Sequence, residues 1–332
     1  MILGIESSCD DSSIALMGLN LDLIYHKKIT QELEHSKYGG VVPELAARLH
    51  TAALPNLIKE IKPYFKDVKA IAVTNSPGLS VSLVSGVSVA KALSIALKLP
   101  LIEINHLVGH IYSLFLNSPV RLPLGVLLVS GGHTMVLDIN ENGDIAVLVE
   151  TSDDSFGESF DKVAKMMGLG YPGGVAIENL ATKSTKDRYK FTIPLKGDSR
   201  LEYSFSGLKN QVRIEIEKSL TNGNKDFADI AFGFQRAACE HIIDKLSKIC
   251  NQRKFSSLGV VGGASANKYL RGRLLEICDK FDMSLLLAPM EFCSDNAVMI
   301  ARAGVEKYQK GNFINLNDLK ISPRSSLSSI YL

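Results

Sequence analysis

The stretch EINHLVGHIYSLF, residues 103–115, sets His106 and His110 four positions apart just after an apolar run and an asparagine. On a helix, residues four apart share a face with Cβ atoms about 5–6 Å apart, so both imidazoles can hold one ion. Two helical histidines with ordinary hydrogen bonds are the plainer explanation, and only a third ligand decides for a metal. The zinc-protease pattern HExxH needs a glutamate beside the first histidine as general base. That position is Leu107, followed by Val108, so the stretch can bind metal but lacks the base for peptide hydrolysis.

Other stretches suit anions and nucleotides. In the turn Ser130, Gly131, Gly132, His133 and Thr134, the two glycines let backbone N–H groups approach a phosphate, although a plain hairpin turn has the same composition. Glu6, Ser7, Ser8, Cys9, Asp10 and Asp11 form a comparable turn near the N-terminus, where the acids could hold a cation, orient phosphates or serve as a base. Gly262, Gly263, Ala264, Ser265 and Asn267 open a helix after a strand, a place where a nucleotide can rest on bare backbone. Asp161, a Gly-rich break ending at Gly174, and Glu178 follow a pattern in which carboxylates take ribose hydroxyls or simply cap turns. YSFSGLK, residues 203–209, is an odd composition for a core. No GxxxxGK[ST] occurs, so this is not a P-loop enzyme.

The elements that must position these residues repeat. MILGIESSCDDSSIALMGL is strand, small polar turn, strand; KAIAVTNSPGLSVSLVSGVSVAKALSIAL with LIEIN is strand, break, helix, strand. LGVLLVSGGHTMVLDIN and SSLGVVGGASANKYLRGRLLEICDKF with SLLLAPM repeat that order. Ile71 to Leu101 is about 30 residues and Leu258 to Leu285 about 27, the length of a βαβ unit. The chain therefore reads as a duplicated α/β fold with a nucleotide cleft between two lobes. The first lobe is expected over 1–105 with about 296–332, the second over 106–295. His106 follows LIEIN as Asp295 follows SLLLAPM. A pseudo-twofold would place Asp295 opposite the histidines, across the cleft, as third ligand, unless it serves only to cap the helix DNAVMIARAG. Two imidazoles and one carboxylate with open positions suit Fe²⁺, taken first here, or Zn²⁺.

At 332 residues and 46% hydrophobic the chain can bury a large core without staples, and its five dispersed cysteines fit a reducing compartment. MILGIESSCDD does not read as a signal peptide, and Lys91, Lys98 and Pro100 interrupt the apolar stretch from Leu83 to Ile104, so a cytoplasmic protein with no membrane span is expected. Net charge is only +2, but Lys183–Lys218 holds nine Lys/Arg against five acids, the best place for a phosphate-backbone footprint if it is not an ordinary solvated face.

Taken together, GIESSCDDSS, VVPELAARLH, NHLVGH, VSGGHT, SFDKVAKMMGLGYPGG, YSFSGLK, GGASANKYLR and CSDNAVMIARAG resemble, collinearly from Gly4 to about Gly304, the universal tRNA threonylcarbamoyltransferase family, formerly described as O-sialoglycoprotein endopeptidases. The resemblance implies an actin-like (ribonuclease H-like) two-lobed fold and transfer of threonylcarbamoyl from threonylcarbamoyl-AMP to the N6 amine of the tRNA adenosine 3′ of the anticodon. By motif it makes His106, His110 and Asp295 metal ligands. Val129, Ser130, Gly131, Gly132 and His133 become the loop around phosphate and acyl group, with Asp161, Gly174, Glu178 and Asn267 at the adenylate. Apart from the resemblance, Asp10 or Asp11 is expected as the general base for the amine. Bacterial members act with a paralogous dimer partner and a small P-loop ATPase, and receive the adenylate from a separate synthase. The chain departs from the family at Val108, usually an acid, and at Ser76, where Gly is commoner. A metal-dependent glycoprotein endopeptidase and a non-catalytic nucleotide-binding scaffold are the competing functions.

Overall fold

The computed structural model describes residues 1–224, 226–324, 327 and 331–332. It divides into two compact units: Met1–Val120 with Ala288–Leu327, and Arg121–Leu287 with the described C-terminal residues Tyr331 and Leu332.

The first unit is built on strands β1 (Ile2–Glu6), β2 (Asp11–Met17), β3 (Leu23–Thr30), β4 (Ala70–Ser76) and β5 (Leu101–Asn105), ordered β3-β2-β1-β4-β5. β1 pairs antiparallel with β2 and parallel with β4. Helix α1 (Glu32–Ser36) and helix α2 (Pro43–Glu60) follow β3, and α3 (Ser80–Leu97) is the crossover between β4 and β5. By length and composition alone α3 could cross a membrane, but it packs on α2 and β4. Helix α4 (His106–Tyr112) and helix α10 (Ala297–Gln309) complete the unit. All of β1 is buried, because alternate residues face two helical layers. Leu3 and Ile5 join Leu54, Leu57 and Val87 in the core, while a Cβ on Gly4 would stand 2.5 Å from the Ala297 carbonyl on α10.

The second unit repeats this topology. Strands β6 (Leu124–Val129), β7 (Thr134–Ile139), β8 (Ile145–Glu150), β9 (Ser257–Val261) and β10 (Ser284–Leu287) are ordered β10-β9-β6-β7-β8. β6 pairs antiparallel with β7 and parallel with β9. Helices α5 (Phe156–Met166), α6 (Gly173–Ala181), α7 (Ser206–Thr221), α8 (Phe227–Gln252) and α9 (Lys268–Lys280) cover this sheet. The duplicated order is the one expected, and the two spacings used to infer it are registers of the sheets: Ile71 lies beside Leu101 and Leu258 beside Leu285.

The lobe boundaries differ from those expected at 105/106 and 295/296. The chain leaves the first unit after Val120 and returns at Ala288. The reason is local: α4 continues straight from β5, and the stretch after β10 leads into α10, which packs on β1, β2, β4 and α4. His106, His110 and Asp295 therefore belong to one unit, and the expectation that the two halves contribute opposite ligands is corrected.

Gly304 lets α10 lie on the sheet, since a Cβ there would be 2.6 Å from that of Ala72. Gly304→Val should destabilise the protein by about 1–3 kcal/mol through overpacking, read as a lowered Tm in thermal denaturation.

Candidate functional site

His106 is the first residue of α4 because the Asn105 side chain caps the helix, accepting from the N–H groups of Leu107 at 2.9 Å and Val108 at 3.3 Å. His110 stands one turn further on. At α10 the cap is Asn296, whose Oδ1 accepts from Met299 N–H at 3.1 Å, while Ser13 Oγ accepts from Ala297 N–H at 3.0 Å. Asp295 is thus not consumed as the cap, the alternative the sequence left open. Its Oδ1 lies 3.4 Å from His106 Nε2 and 3.2 Å from His110 Nε2. With metal–ligand bonds of about 2.0–2.1 Å, the edge of a tetrahedron is about 3.3–3.4 Å, so these separations fit ligands sharing one ion. One ligand atom from each of the three residues lies within 4.8 Å of the others.

Glu6 completes the site. Its Oε2 is 3.2 Å from His106 Nδ1, and it is held by Thr74 Oγ1 and by Ser8 N–H at 2.6 Å. A proton on Nδ1 shared with Glu6 leaves the Nε2 lone pair aimed at Asp295 and the ion position, the usual support for a metal-binding imidazole. Burial works against both carboxylates, yet the neighbouring His106 holds Glu6 low and, with His110, Asp295 well below the usual carboxylate range. Burial likewise disfavours charge on His106, but Asp295 and Glu6 outweigh it and hold its pKa well above the ordinary value. Burial depresses the pKa of His110, which is fully enclosed; among the described residues its Nδ1 has no hydrogen-bonding partner, while its Nε2 faces the Asp295 carboxylate at 3.2 Å. Two enclosed imidazoles, the half-buried Asp295 and the buried Glu6 behind His106 make a donor set that a divalent cation fits.

Close packing fixes the distances. A Cβ on Gly109 would meet Ile300 Cδ1 at 2.8 Å, so the glycine between the histidines lets α4 approach α10. The buried Arg302 of α10 donates to the carbonyls of Phe115 at 2.7 Å and Ser118 at 3.1 Å and lies over the Tyr112 ring. Neither Gly109 nor Arg302 stands out in the sequence. Glu6 lay in the acidic turn but gave no sign of contacting His106, a residue distant in the chain.

Asp10 and Asp11 are half-buried on the same turn. Asp11 Oδ2 pairs with Lys28 Nζ at 2.8 Å, and burial nevertheless raises its carboxyl to about 6.

In the second unit the expected substrate residues form two groups. Ser130 Oγ accepts from the N–H groups of Gly132 at 3.3 Å and His133 at 3.0 Å, which aims both amides at one point. Gly131 and Gly132 are exposed, and His133 is half-buried. Val129 puts its side chain in the core, so only its backbone is available to the turn. Ser155, the cap of α5, donates to the carbonyls of Gly131 at 2.8 Å and Ser130 at 3.2 Å. Its S-x-x-E spacing to Glu158 is a helix-cap pattern, and no spacing points to the bonds with Ser130 and Gly131. The second group is joined through α6. Asp161 accepts from Gly173 N–H at 2.7 Å, Gly174 is open, Glu178 accepts from Lys268 N–H at 2.7 Å, and the neighbouring Asn267 caps α9.

A family profile described as tRNA N6-adenosine threonylcarbamoyltransferase matches residues 22–302. Similar proteins of that name occur in Campylobacter curvus, 67% identical over 98% of this chain and 99% of the relative, and in Campylobacter fetus, 64% identical over 100% and 99%. The chain belongs to the tRNA N6-adenosine threonylcarbamoyltransferase family. Among solved structures, full-length HypF in its phosphate- and nucleotide-bound form aligns with TM-score 0.60 at 15% identity, over 92% of this chain and 55% of that one. Component A of Acidaminococcus fermentans (R)-2-hydroxyglutaryl-CoA dehydratase aligns at 0.55 and 16%, over 93% and 98%. At such identities these likenesses show the duplicated two-lobed fold alone.

As a threonylcarbamoyltransferase the protein modifies tRNA, and its basic stretch is narrower than its composition suggested. Of the nine cations, Arg188, Arg200, Lys209, Arg213 and Lys218 are paired with acids. Lys183, Lys186, Lys190 and Lys196 are exposed and have no ion pair among the described residues.

Glu6→Gln keeps the shape of the site but weakens the acceptor behind His106. Metal affinity of the transferase should fall about 10–100-fold, measured by competition with a chelator.

Proposed function

We propose that this transferase takes the threonylcarbamoyl group from threonylcarbamoyl-AMP and delivers it to the N6 amine of the tRNA adenosine 3′ of the anticodon, releasing AMP. The observation that carries this reading is the convergence of His106 Nε2 and His110 Nε2 on Asp295 Oδ1. The ligand set of two imidazoles and one carboxylate favours Fe²⁺, with Zn²⁺ as the alternative. When bound, the ion supplies a Lewis acid toward the carbamoyl carbonyl.

The chain's own groups do the rest. The amides of Gly132 and His133, aimed where Ser130 Oγ now lies, suit a phosphate oxygen of the leaving AMP. Asp161, Gly174, Glu178 and Asn267 hold the adenylate. As N6 bonds to the carbonyl carbon, the bond from that carbon to the phosphate oxygen breaks, and the amine proton passes to a carboxylate. Asp10 and Asp11 are suited to take it, and a carboxyl near 6 such as Asp11 is poised for that transfer at neutral pH. An exocyclic aryl amine is a weak nucleophile, so orientation matters most; well-placed reactants lower a barrier by about 7–11 kcal/mol.

The protein works in the cytoplasm with a paralogous dimer partner, a small P-loop ATPase and a synthase that supplies the adenylate. The exposed lysines of residues 183–196 bind the tRNA phosphate backbone.

His106→Ala combined with His110→Ala should abolish both bound metal, in protein purified without air, and tRNA modification. Full modification by a metal-free double variant would end the reading. Reversing Lys186, Lys190 and Lys196 to Glu should weaken tRNA binding and reduce its salt slope by up to about one per lost contact, while unchanged binding removes the patch.

A further inference from the structure

Behind the acidic turn lies a chain of buried polar groups that the reaction does not directly use. Val42 N–H donates to His35 Nδ1 at 3.2 Å, His35 Nε2 is 3.0 Å from Gln31 Oε1, Gln31 Nε2 is 3.3 Å from His50 Nδ1, and His50 Nε2 is 2.9 Å from the Cys9 carbonyl. Ser12 Oγ stands 2.7 Å from the same His50 Nδ1, and Ser82 Oγ donates to the Cys9 carbonyl at 2.8 Å. Ser12, Gln31, His35 and His50 are all at most 2% exposed.

The two ends fix every proton between them. A backbone N–H can only donate, so His35 accepts at Nδ1 and carries its proton on Nε2. A carbonyl can only accept, so His50 carries its proton on Nε2 and accepts at Nδ1. Reversing the Gln31 amide would set its oxygen against the His50 acceptor and its NH₂ against the His35 donor, so only one orientation satisfies the chain. Both rings are neutral in this arrangement, and burial, which depresses His50, agrees. Buried polar groups with a single satisfied arrangement rigidify what they hold.

What they hold is the peptide between Ser8, whose Oγ is 3.1 Å from His106 Nδ1, and Asp10 and Asp11. We propose that His50, held at Nδ1 by Ser12 and, through Gln31, by His35, is a positioning residue for the transfer reaction: it fixes the Cys9 carbonyl and thereby sets where Ser8, Asp10 and Asp11 stand beside the metal centre.

The test uses the metal-loaded full chain with threonylcarbamoyl-AMP and unmodified tRNA, reading kcat, KM, metal content and Tm. His50→Leu should lower kcat about tenfold or more at unchanged metal content. His50→Gln, whose amide can still donate to the Cys9 carbonyl, should stay within about threefold of the parent. Gln31→Leu should cost less than His50→Leu and add nothing to it, since both break one chain. An unchanged kcat in His50→Leu, equal losses in the Leu and Gln variants, or multiplying losses in the double variant would overturn the proposal. It rests on reading Asp10 and Asp11 as working acids. Asp10→Asn and Asp11→Asn, assayed alongside, separate the two: full activity there refutes that reading, whereas an active His50→Leu refutes the relay.

Discussion

The first unit is organised around one electrostatic requirement: two buried imidazoles, the buried Glu6 and the partly exposed Asp295 must neutralise one another. A buried polar group without a partner costs about 1–3 kcal/mol, and a charged one more. Glu6 stands at one ring nitrogen of His106 and Asp295 at the other, and the same Asp295 oxygen faces His110 Nε2. A divalent cation among these ligand atoms would offset the carboxylate charge and give both Nε2 atoms a partner. The architecture follows from this. Glu6 ends the central strand β1, His106 begins a helix with no intervening loop, and α10 is seated on the sheet through Gly4 and Gly304. Moving any of these elements by the width of a methyl group would separate the donors.

Much of this was legible. Apolar runs broken by small polar turns gave the hairpin and parallel strands of each half, and the βαβ lengths gave which strands pair, because parallel strands joined by a helix have few ways to close; the outer strands β3 and β8 were not foreseen. The HxxxH spacing gave a shared helical face. Asp295 was found as a ligand through an argument whose geometry was wrong, since it stands beside the histidines within one unit. The failure has a physical cause. Topological symmetry says which strand ends correspond, but the path of the chain after β10 depends on what α10 packs against, and that is a matter of tertiary contact.

The missed residues share a character. Gly109, Arg302 and His50 act across long separations in the chain or by an absent Cβ, and no periodicity records either; Glu6 was named in the acidic turn, but its contact with His106 was not. His50 is instructive: inside VVPELAARLH it reads as one polar residue on an amphipathic helix, yet it is fully buried and bonded to the acidic turn. The basic stretch errs in the other direction. Composition counts charges but not partners, and five of its nine cations are neutralised by neighbouring acids.

The duplication shows how one topology is given two chemistries. The hairpin from β1 to β2 and the hairpin from β6 to β7 occupy the same place in their sheets. In the first, the turn carries Asp10 and Asp11 and its carbonyl at Cys9 is held by His50 and Ser82, which leaves carboxylates beside a cation site. In the second, the turn carries two glycines, Ser155 ties down the carbonyls of Ser130 and Gly131, and the amides of Gly132 and His133 converge on Ser130 Oγ. Securing the carbonyls is common to both. What differs is the side chains at the tip: two carboxylates in the first hairpin and two glycines in the second.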